Sequence, residues 1–332
     1  TVTWPNGKSQ IMTDLEVNQL INIDQANANV QEPSSSADPM MIEVSKEVGL
    51  DFQHSENEYN DYNKQVLLPY KLSKLGPGMA TGDVNGDDLI DIFITGAQGQ
   101  PGSLYLQEPN GNFRPQASAI FTIDQDQEGV DALFFDADGD DDLDLYVVNG
   151  GNEFVKSDPY YQDKLYYNDG DGNFSGKDNS LPELTISGST VKANDIDGDG
   201  DLDLFVAGRH TPWEYPQPTS SYILLNEAGK FKNITSMVAP GLLNIGMVTD
   251  AIWSDYDTDG DEDLIVVGEW MPMTIFTNTD GKFEVLTSAQ ELNNAVGWWS
   301  SIAEADLNND GKKDYITGNL GLNYRYLSLI HI

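Results

Sequence analysis

Short apolar runs alternate with acidic loops along most of this chain. The runs are rich in β-branched and aromatic residues and end near a glycine; they read DIFITG, DLYVVNG, DLFVAG, DLIVVG and DYITG. Runs of this length and composition, bounded by turn residues, are typical of buried strands. Each of the first four is followed by another apolar run and a G-x-F turn, at 111–113, 172–174, 229–231 and 281–283. Because glycine turns between apolar runs predict hairpins, the repeating unit is predicted to have four strands.

The acidic loops are nine residues long and share one design. They read DVNGDDLID at 83–91 (loop 1), DADGDDDLD at 136–144 (loop 2), DIDGDGDLD at 195–203 (loop 3), DYDTDGDED at 255–263 (loop 4) and DLNNDGKKD at 306–314 (loop 5). Side-chain oxygens at positions 1, 3, 5 and 9, with the carbonyl of position 7, would supply the six to eight hard donors that calcium accepts. Magnesium is the weaker candidate because it requires strict octahedral geometry.

We therefore predict about five calcium sites, one in each loop. The predicted ligands are Asp83, Asn85, Asp87, Asp91, Asp136, Asp138, Asp140, Asp144, Asp195, Asp197, Asp199, Asp203, Asp255, Asp257, Asp259, Asp263, Asp306, Asn308, Asp310 and Asp314.

An EF-hand is the first alternative for such loops. It needs a bidentate glutamate at position 12 and a helix on each side. Position 12 is instead Ile94, Val147, Val206, Val266 and Thr317, and each of these lies in an apolar run. The loops are therefore predicted to join strands.

The loops recur at a regular interval. Their first aspartates stand at 83, 136, 195, 255 and 306, so successive loops begin 51 to 60 residues apart. A period of this size marks a repeat architecture. Four-stranded units at this period predict propeller blades, which pack face to face around an axis. A β-solenoid is the weaker alternative because its coils are shorter and less hairpin-like.

Composition and charge limit the partners. The net charge of −38 over 332 residues argues against nucleic acid and anionic membrane surfaces. No apolar run approaches the roughly 18 residues of a membrane span, so membrane insertion is not expected. The absence of cysteine excludes disulfides, a thiol nucleophile and a zinc–thiolate site, and favours a bacterial surface protein over a secreted eukaryotic domain.

Together, the loops, strands and hairpins resemble the FG-GAP or VCBS repeats, calcium-binding propeller units also found in integrin α subunits. Longer strings at 67–87 (LLPYKLSKLGPGMATGDVNGD), 206–216 and 246–273 are similar to bacterial proteins of the cartilage acidic protein type, and residues 1–28 resemble the end of an ASPIC/UnbV segment. The resemblance implies a secreted or surface-attached propeller, stabilised by calcium and used for adhesion or binding, with no shared reaction. Asp88 and Asp141 depart from the pattern because they replace the glycine at position 6; aspartate enters the left-handed conformation at modest cost.

The predicted fold class is therefore all-β, a propeller of FG-GAP/VCBS-type blades preceded by the end of a small β-rich module. We expect that module at 1–28, with strands around the Asn6–Gly7 turn, a Pro- and Ser-rich linker at 29–40, and the propeller portion at 41–326. The last six residues, 327–332, continue no blade pattern and are expected to be a non-native tail. The fifth loop lacks its hairpin, so we expect about 4.5 blades with open edges that promote association.

Aromatic and ionisable residues after the strands raise other functions. The clusters are Arg209, His210, Trp213, Glu214 and Tyr215, and then Glu269 and Trp270. They could stack a sugar or supply carboxylates for glycoside or uronide chemistry, but packing between blades, with Trp298 and Trp299, is the simpler explanation. His54 and His210 are expected to be surface or packing residues.

Three functions stay open, and we expect no enzyme. An adhesion or protein-binding module is favoured because the repeats and the metal loops are accounted for and no catalytic constellation is. A carbohydrate-binding module is second, and a polysaccharide lyase or hydrolase is last. The expected partner is an extracellular protein or glycan.

Overall fold

The computed structural model describes residues 2–4, 8–10, 12, 23–28, 41–288 and 290–321. Within it the chain divides into two units, Thr1–Ser45 and Lys46–Ile332. The linker predicted at 29–40 and the tail predicted at 327–332 lie outside the described residues, as do Asn6 and Gly7. The predicted domain boundaries therefore remain predictions.

The described residues of the first unit include a small antiparallel pair of strands. Strand β1 (Val2–Thr3) pairs with β2 (Ser9–Gln10). A 3₁₀ turn at Gln25–Asn27 follows, and the carboxylate of Asp24 caps it by accepting a hydrogen bond from the amide of Ala26.

The second unit consists of antiparallel sheets that follow one another along the chain, most of them four-stranded. Sheet 1 contains β3 (Met79–Gly82), β4 (Asp91–Ile94), β5 (Ser103–Gln107) and β6 (Phe113–Gln116). Sheet 2 contains β7 (Gly129–Phe135), β8 (Asp144–Asn149), β9 (Lys164–Tyr167) and β10 (Ser175–Gly176). Sheet 3 contains β11 (Ser187–Asn194), β12 (Asp203–His210), β13 (Tyr222–Asn226) and β14 (Phe231–Asn233). Sheet 4 contains β15 (Met247–Ser254), β16 (Asp263–Met271), β17 (Thr274–Thr279) and β18 (Lys282–Val285).

A fifth pair, β19 (Gly297–Ala305) and β20 (Asp314–Asn319), continues the series. It joins sheet 4 where Glu269 and Met271 of β16 pair with Trp298 and Gly297. Every acidic loop lies between the first and second strand of its sheet, and every G-x-F turn lies between the third and fourth. The all-β class and the four-strand repeat order predicted from the sequence are thus confirmed.

Alternation along the second strands gives each sheet two apolar faces. On β12, Leu204 and Val206 pack toward sheet 2, whereas Phe205 and Ala207 pack toward sheet 4. Successive side chains on a strand point to opposite faces, so one continuous apolar run fills two cores. Strands β8 and β16 repeat the arrangement, and four apolar layers therefore lie between the five successive sheets.

The first strands of successive sheets lie side by side. Contacts join β3 to β7, β7 to β11, β11 to β15 and β15 to β19. The sheets are therefore stacked with their first-strand edges on the same side.

Helices are few and short among the described residues of the second unit. They are α1 (Ala119–Ile123), α2 (Thr235–Val238) and α3 (Gln290–Asn293), with 3₁₀ turns at Asp61–Asn63, Pro159–Tyr161 and Pro240–Leu242. None of the helices in the described part of the chain has the length and apolarity that a membrane span requires.

An irregular N-terminal segment, residues 46–77, begins beside β6, where the Val48 carbonyl accepts the Phe113 amide at 2.6 Å. It then contacts the ends of the sheets that are remote from the acidic loops. The buried Asp61 holds this segment in place. Its carboxylate accepts hydrogen bonds from the amides of Leu72 and Ser73, the Ser73 hydroxyl and the Asn152 side chain, at 2.6–3.2 Å. This segment brings side chains from early in the chain to sheets 3 and 4.

Candidate metal loops and the opposite end of the sheets

All five acidic loops have the same backbone conformation. Positions 4 and 6 of each loop are left-handed, with φ between 59° and 102°. These positions are Gly86 and Asp88, Gly139 and Asp141, Gly198 and Gly200, Thr258 and Gly260, and Asn309 and Gly311. The left-handed conformation predicted for Asp88 and Asp141 is confirmed, at 65° and 69°. The requirement at position 4 was missed, although glycine at that position in three loops was a usable signal.

The aspartate at position 1 organises each loop. One of its carboxylate oxygens accepts the amide of position 6, at 2.7–3.2 Å in all five loops. The other accepts amides from positions 3 to 5. Two left-handed residues turn these amides toward one point, so the loop folds around its first carboxylate.

The carboxylate at position 5 also accepts a hydrogen bond from a backbone amide of its own loop. In every loop the position-5 carboxylate accepts the amide of position 7, at 2.9–3.3 Å. These short-range bonds set the side-chain rotamers, and they leave the remaining lone pairs of the carboxylates available to a cation.

The aspartate at position 9 is buried in the first four loops. Asp91, Asp144, Asp203 and Asp263 are each at most 1% exposed. Their Oδ2 atoms accept the amide of position 2 at 2.9–3.0 Å, and their Oδ1 atoms accept an amide at the end of the third strand at 2.7–2.8 Å. Position 9 therefore ties both ends of the loop to the sheet, in addition to the ligand role predicted for it. In loop 5, Asp314 accepts the position-2 amide in the same way.

Three groups of three carboxylates converge among the described residues. They are Asp136, Asp138 and Asp144 in loop 2, Asp195, Asp197 and Asp199 in loop 3, and Asp255, Asp257 and Asp259 in loop 4. Within each group the ligand oxygens lie within 4.8 Å of one another. Two oxygens bound to one calcium at 2.3–2.6 Å are at most about 5 Å apart, so this spacing and the all-oxygen donor set fit the ion.

The other predicted ligands are not in these groups of three. Loops 1 and 5 carry asparagine at position 3, and the amides of Asn85 and Asn308 each donate to the position-5 carboxylate at 3.1 Å. In loop 2 the convergent group omits Asp140, and in loops 3 and 4 it omits Asp203 and Asp263.

Crowding and burial raise carboxyl pKa values in these loops. Burial is the main cause for Asp144, whose pKa is raised to about 7, and for Asp203, whose pKa is raised to about 6. Neighbouring aspartates add to the shift, while the backbone amides oppose it. A bound cation would favour the charged forms and reverse this effect.

Asparagines at the ends of the third strands connect neighbouring loops, which the sequence analysis did not anticipate. The Asn168 amide donates to the Val84 carbonyl in loop 1 at 2.7 Å and to the Leu143 carbonyl in loop 2 at 3.1 Å. Asn226 repeats the bridge between loop 2 and loop 3, at 2.9 and 3.2 Å. The signal was the asparagine that ends LYYN, ILLN and TIFTN, at one place in three repeats. The third, Asn278, bonds within its own loop, to the Glu262 carbonyl at 3.2 Å.

Comparison with known proteins bears on these repeats. The sequence matches the FG-GAP-like repeat over residues 83–147, 149–206, 195–266 and 255–317, which together cover most of the chain. The chain belongs to the FG-GAP-like repeat family. Three of the four matches begin at the first residue of an acidic loop, and the other begins at the end of β8. All four end in a second strand, so the repeat of the family coincides with the loop-and-strand unit described above.

Individual relatives of this FG-GAP-like chain are distant. Cartilage acidic protein 1 of Xenopus tropicalis is 24% identical over 270 residues, which are 74% of this chain and 40% of that protein. The chain therefore spans less than half the length of this relative.

Two solved structures show a weak likeness. One is an Agrocybe aegerita lectin studied for recognition of non-reducing terminal N-acetylglucosamine (TM-score 0.42, 18% identity, 62% of this chain and 50% of that one). The other is the biofilm matrix protein Bap1 of V. cholerae (TM-score 0.35, 13% identity, 73% and 34%). At these TM-scores neither structure defines the fold or the ligand of this chain.

The opposite end of the FG-GAP-like sheets holds a buried ion pair. The Arg209 guanidinium bonds to the Glu269 carboxylate, and Tyr70 from the N-terminal segment bonds to both. The second oxygen of Glu269 accepts the Tyr215 hydroxyl at 3.2 Å. Arg209 and Glu269 each follow the glycine that ends the core part of a second strand, about 20 Å from the loops at roughly 3.3 Å per residue.

Two of the tryptophans predicted to pack between sheets, Trp213 and Trp270, have different environments. Trp213 is structural, since its ring nitrogen donates to the Asn152 carbonyl at 2.9 Å and Lys64 covers its face at 4.2 Å. Trp270 is 53% exposed and lies beside Trp298, with 5.0 Å between ring centroids. The packing interpretation holds for Trp213 and does not account for Trp270.

Both histidines considered in the sequence analysis are placed by the structure. His210 is fully buried, and burial lowers its pKa to about 3, with the Arg209 charge adding to the effect. Its Nε2 lies 3.3 Å from the Asn152 side-chain oxygen. His54 is partly buried beside Glu56, at 3.0 Å. The packing role predicted for His210 is consistent with this burial.

Proposed function

We propose that this chain is a calcium-binding, extracellular binding module whose sheets are successive blades of a propeller. The observation that carries the proposal is the backbone conformation shared by all five loops, which in loops 2, 3 and 4 brings three carboxylates within 4.8 Å of one another. Five copies of one conformation, built with different residues at positions 4 and 6, are not expected of ordinary solvated turns.

The propeller arrangement is supported by the packing of the sheets. Their first strands lie side by side in chain order, and each second strand fills the cores on both of its faces. Blades arranged around an axis have these two properties. The partial propeller of about 4.5 blades with open edges, predicted from the sequence, is part of the proposal, as is the ASPIC/UnbV likeness of residues 1–28.

Calcium would act as a structural ion in this module. Asp197 and its equivalents at position 3, together with the side chains at positions 1 and 5, would hold the ion. The ion would neutralise carboxylates that repel one another. With a Kd near 10⁻⁴ M, which is typical of weak extracellular sites, ~10 mM calcium would add about 2.7 kcal/mol per site to the free energy of unfolding. Several such sites would rival the total stability of an ordinary domain.

Thermal melting in calcium and in EDTA tests this proposal. We expect chelation to lower the melting temperature by well over 10 °C, and calcium to restore it. Magnesium at the same concentration is the control and should restore less. A melting temperature that changes by no more than a degree or two on chelation would contradict the structural role of calcium.

Binding is proposed in preference to catalysis. The carboxylates of the loops are assigned to metal, and we propose no reaction for the chain. The acidic surface argues against nucleic acid and membrane as partners and leaves an extracellular protein or glycan as the ligand. We place the module outside the cell, where calcium is abundant enough for weak sites to be filled.

A further inference from the structure

A cavity of about 320 Å³ lies beside the buried ion pair, at the end of the sheets remote from the loops. First strands of four successive repeats line it, through Val130, Ser189, Thr249 and Trp299. Exposed Ser300 lies at its edge, so the cavity is open to solvent. Its volume is at the lower end of the roughly 300–1,000 Å³ range of small-molecule sites, which suits a single ring-sized ligand.

Arg209 lines this cavity and carries a hydrogen-bond donor that is not satisfied among the described residues. The residue is 5% exposed, and its Nη2 bonds to Glu269 and Tyr70. Its Nη1 is buried and has no hydrogen-bond partner among the described residues. A buried charged donor without a partner is destabilising, so this atom favours a ligand that brings an acceptor.

Aromatic rings form one wall of the same cavity. The ring centroids of Tyr70 and Trp298 are 5.8 Å apart, and those of Trp298 and the exposed Trp270 are 5.0 Å apart. The rings therefore form a continuous row from the interior to the surface. Trp270 is held there with a φ of 59°, a left-handed conformation that is unusual for a bulky residue. Such a wall suits the apolar face of a ring.

Hydroxyl groups complete the lining. Thr249 Oγ1 can donate its proton to the carbonyl of Val267 or of Trp299, at 3.2 and 3.0 Å, and Ser189 Oγ donates to the Ala207 carbonyl at 3.5 Å. Each of these oxygens keeps a lone pair that can accept a bond. The cavity therefore offers a donor at Arg209 and acceptors at Ser189 and Thr249.

Charge decides between a neutral and an anionic ligand. The Glu269 carboxylate already balances the Arg209 guanidinium, so a second anion would enter a site with no excess positive charge. A neutral polyol uses both the donor and the acceptors, whereas a carboxylate uses only the donor. The balance of the site favours hydroxyl groups on a ring.

We propose that this cavity binds one neutral sugar unit of a glycan, with a hydroxyl oxygen on Arg209 Nη1 and the ring against Trp298. The inference rests on the proposed binding function and assigns it a ligand class and a site. Calcium plays no direct part, because the loops lie about 20 Å away at the other ends of the same strands.

The test is tryptophan fluorescence and calorimetry with methyl glycosides, using the full chain in calcium. The panel contains neutral hexoses and N-acetylhexosamines, with hexuronic acids for comparison. We expect saturable binding of at least one neutral glycoside. Arg209→Lys keeps the charge opposite Glu269 but loses the Nη1 donor, and should weaken binding about tenfold. Arg114→Lys, at an exposed arginine elsewhere, is the matched control and should change it less than twofold.

A second variant guards against misfolding of the first. Ser300→Trp adds bulk at the exposed edge of the cavity without altering the ion pair, and should abolish binding while the melting temperature in calcium stays unchanged. Retained affinity in folded Ser300→Trp, preference for hexuronic acids, or no binding by protein that melts normally would each overturn the proposal. Melting in EDTA tests the calcium function separately, so the two proposals can fail independently.

Discussion

The buried His210 predicts a specific loss of stability in mild acid. Its pKa is about 3 in the folded protein against an ordinary value of 6.5, because burial and the Arg209 charge disfavour the imidazolium. The stability that His210 contributes is therefore complete above pH 6.5 and is lost progressively as the pH falls toward 3. At pH 5 His210 is protonated in the unfolded chain and neutral in the folded chain. This pH lies about 1.5 units below the unfolded pKa of 6.5. At 1.36 kcal/mol per unit the loss is about 2 kcal/mol.

Local contacts explain why the fold resists this protonation. The neutral ring donates from Nε2 to Asn152 Oδ1, and the Asn152 amide donates onward to the Asp61 carboxylate. Its Nδ1 is buried without a partner among the described residues, so a proton on that atom would find no acceptor. Protonation of His210 therefore weakens the contacts that join sheet 2, sheet 3 and the N-terminal segment.

The measurement compares wild type with His210→Gln by urea unfolding at pH 7.5 and pH 5.0, in saturating calcium. Glutamine preserves a donor for Asn152 but does not titrate. The wild type should lose about 2 kcal/mol more than the variant between the two pH values. Other carboxyls titrate equally in both proteins and cancel. If the two proteins lose the same stability to within about 0.5 kcal/mol, His210 is not neutral in the folded state and the reasoning is wrong.

Two further predictions concern the loops. Asp197→Ala should lower the calcium stoichiometry by one in calorimetry, whereas Asp201→Ala at position 7 should leave it unchanged because that position offers its backbone carbonyl; an equal effect of both would contradict the ligand assignment. Asn226→Ala should cost about 1–3 kcal/mol in urea unfolding, since two buried carbonyls lose their donor, while the exposed Asn173→Ala should cost less than about 0.5 kcal/mol. Equal costs for the two asparagines would show that the bridge contributes nothing.

Local patterns were sufficient to predict the repeat. Runs such as DLFVAG gave the second strands, and the G-x-F turns gave the outer hairpins, because both depend on neighbours within a few residues. The two faces of β12 also follow from alternation. The candidate metal loops were predicted from oxygen-bearing residues at odd positions, and the structure adds the second left-handed position and the buried hydrogen bonds of position 9.

Contacts between distant segments could not be read in the same way. Tyr70 lies 199 residues before Glu269, and no periodicity links the N-terminal segment to sheet 4. The approach of Arg209 to Glu269 was in principle accessible, because each follows the glycine of a second strand in successive repeats. The decisive information was the stacking of the sheets, which places equivalent positions of neighbouring repeats side by side.

The asparagine bridges give the row of loops a property that separate loops would not have. Asn168 and Asn226 each hold carbonyls of two adjacent loops with one side-chain amide. A loop that loosens therefore withdraws a partner from its neighbour, so loops 1 to 3 form a one-dimensional chain with nearest-neighbour coupling. In such a chain loosening spreads from the ends, so the proposed calcium sites of these three loops should respond to falling calcium over a narrower concentration range than independent sites would.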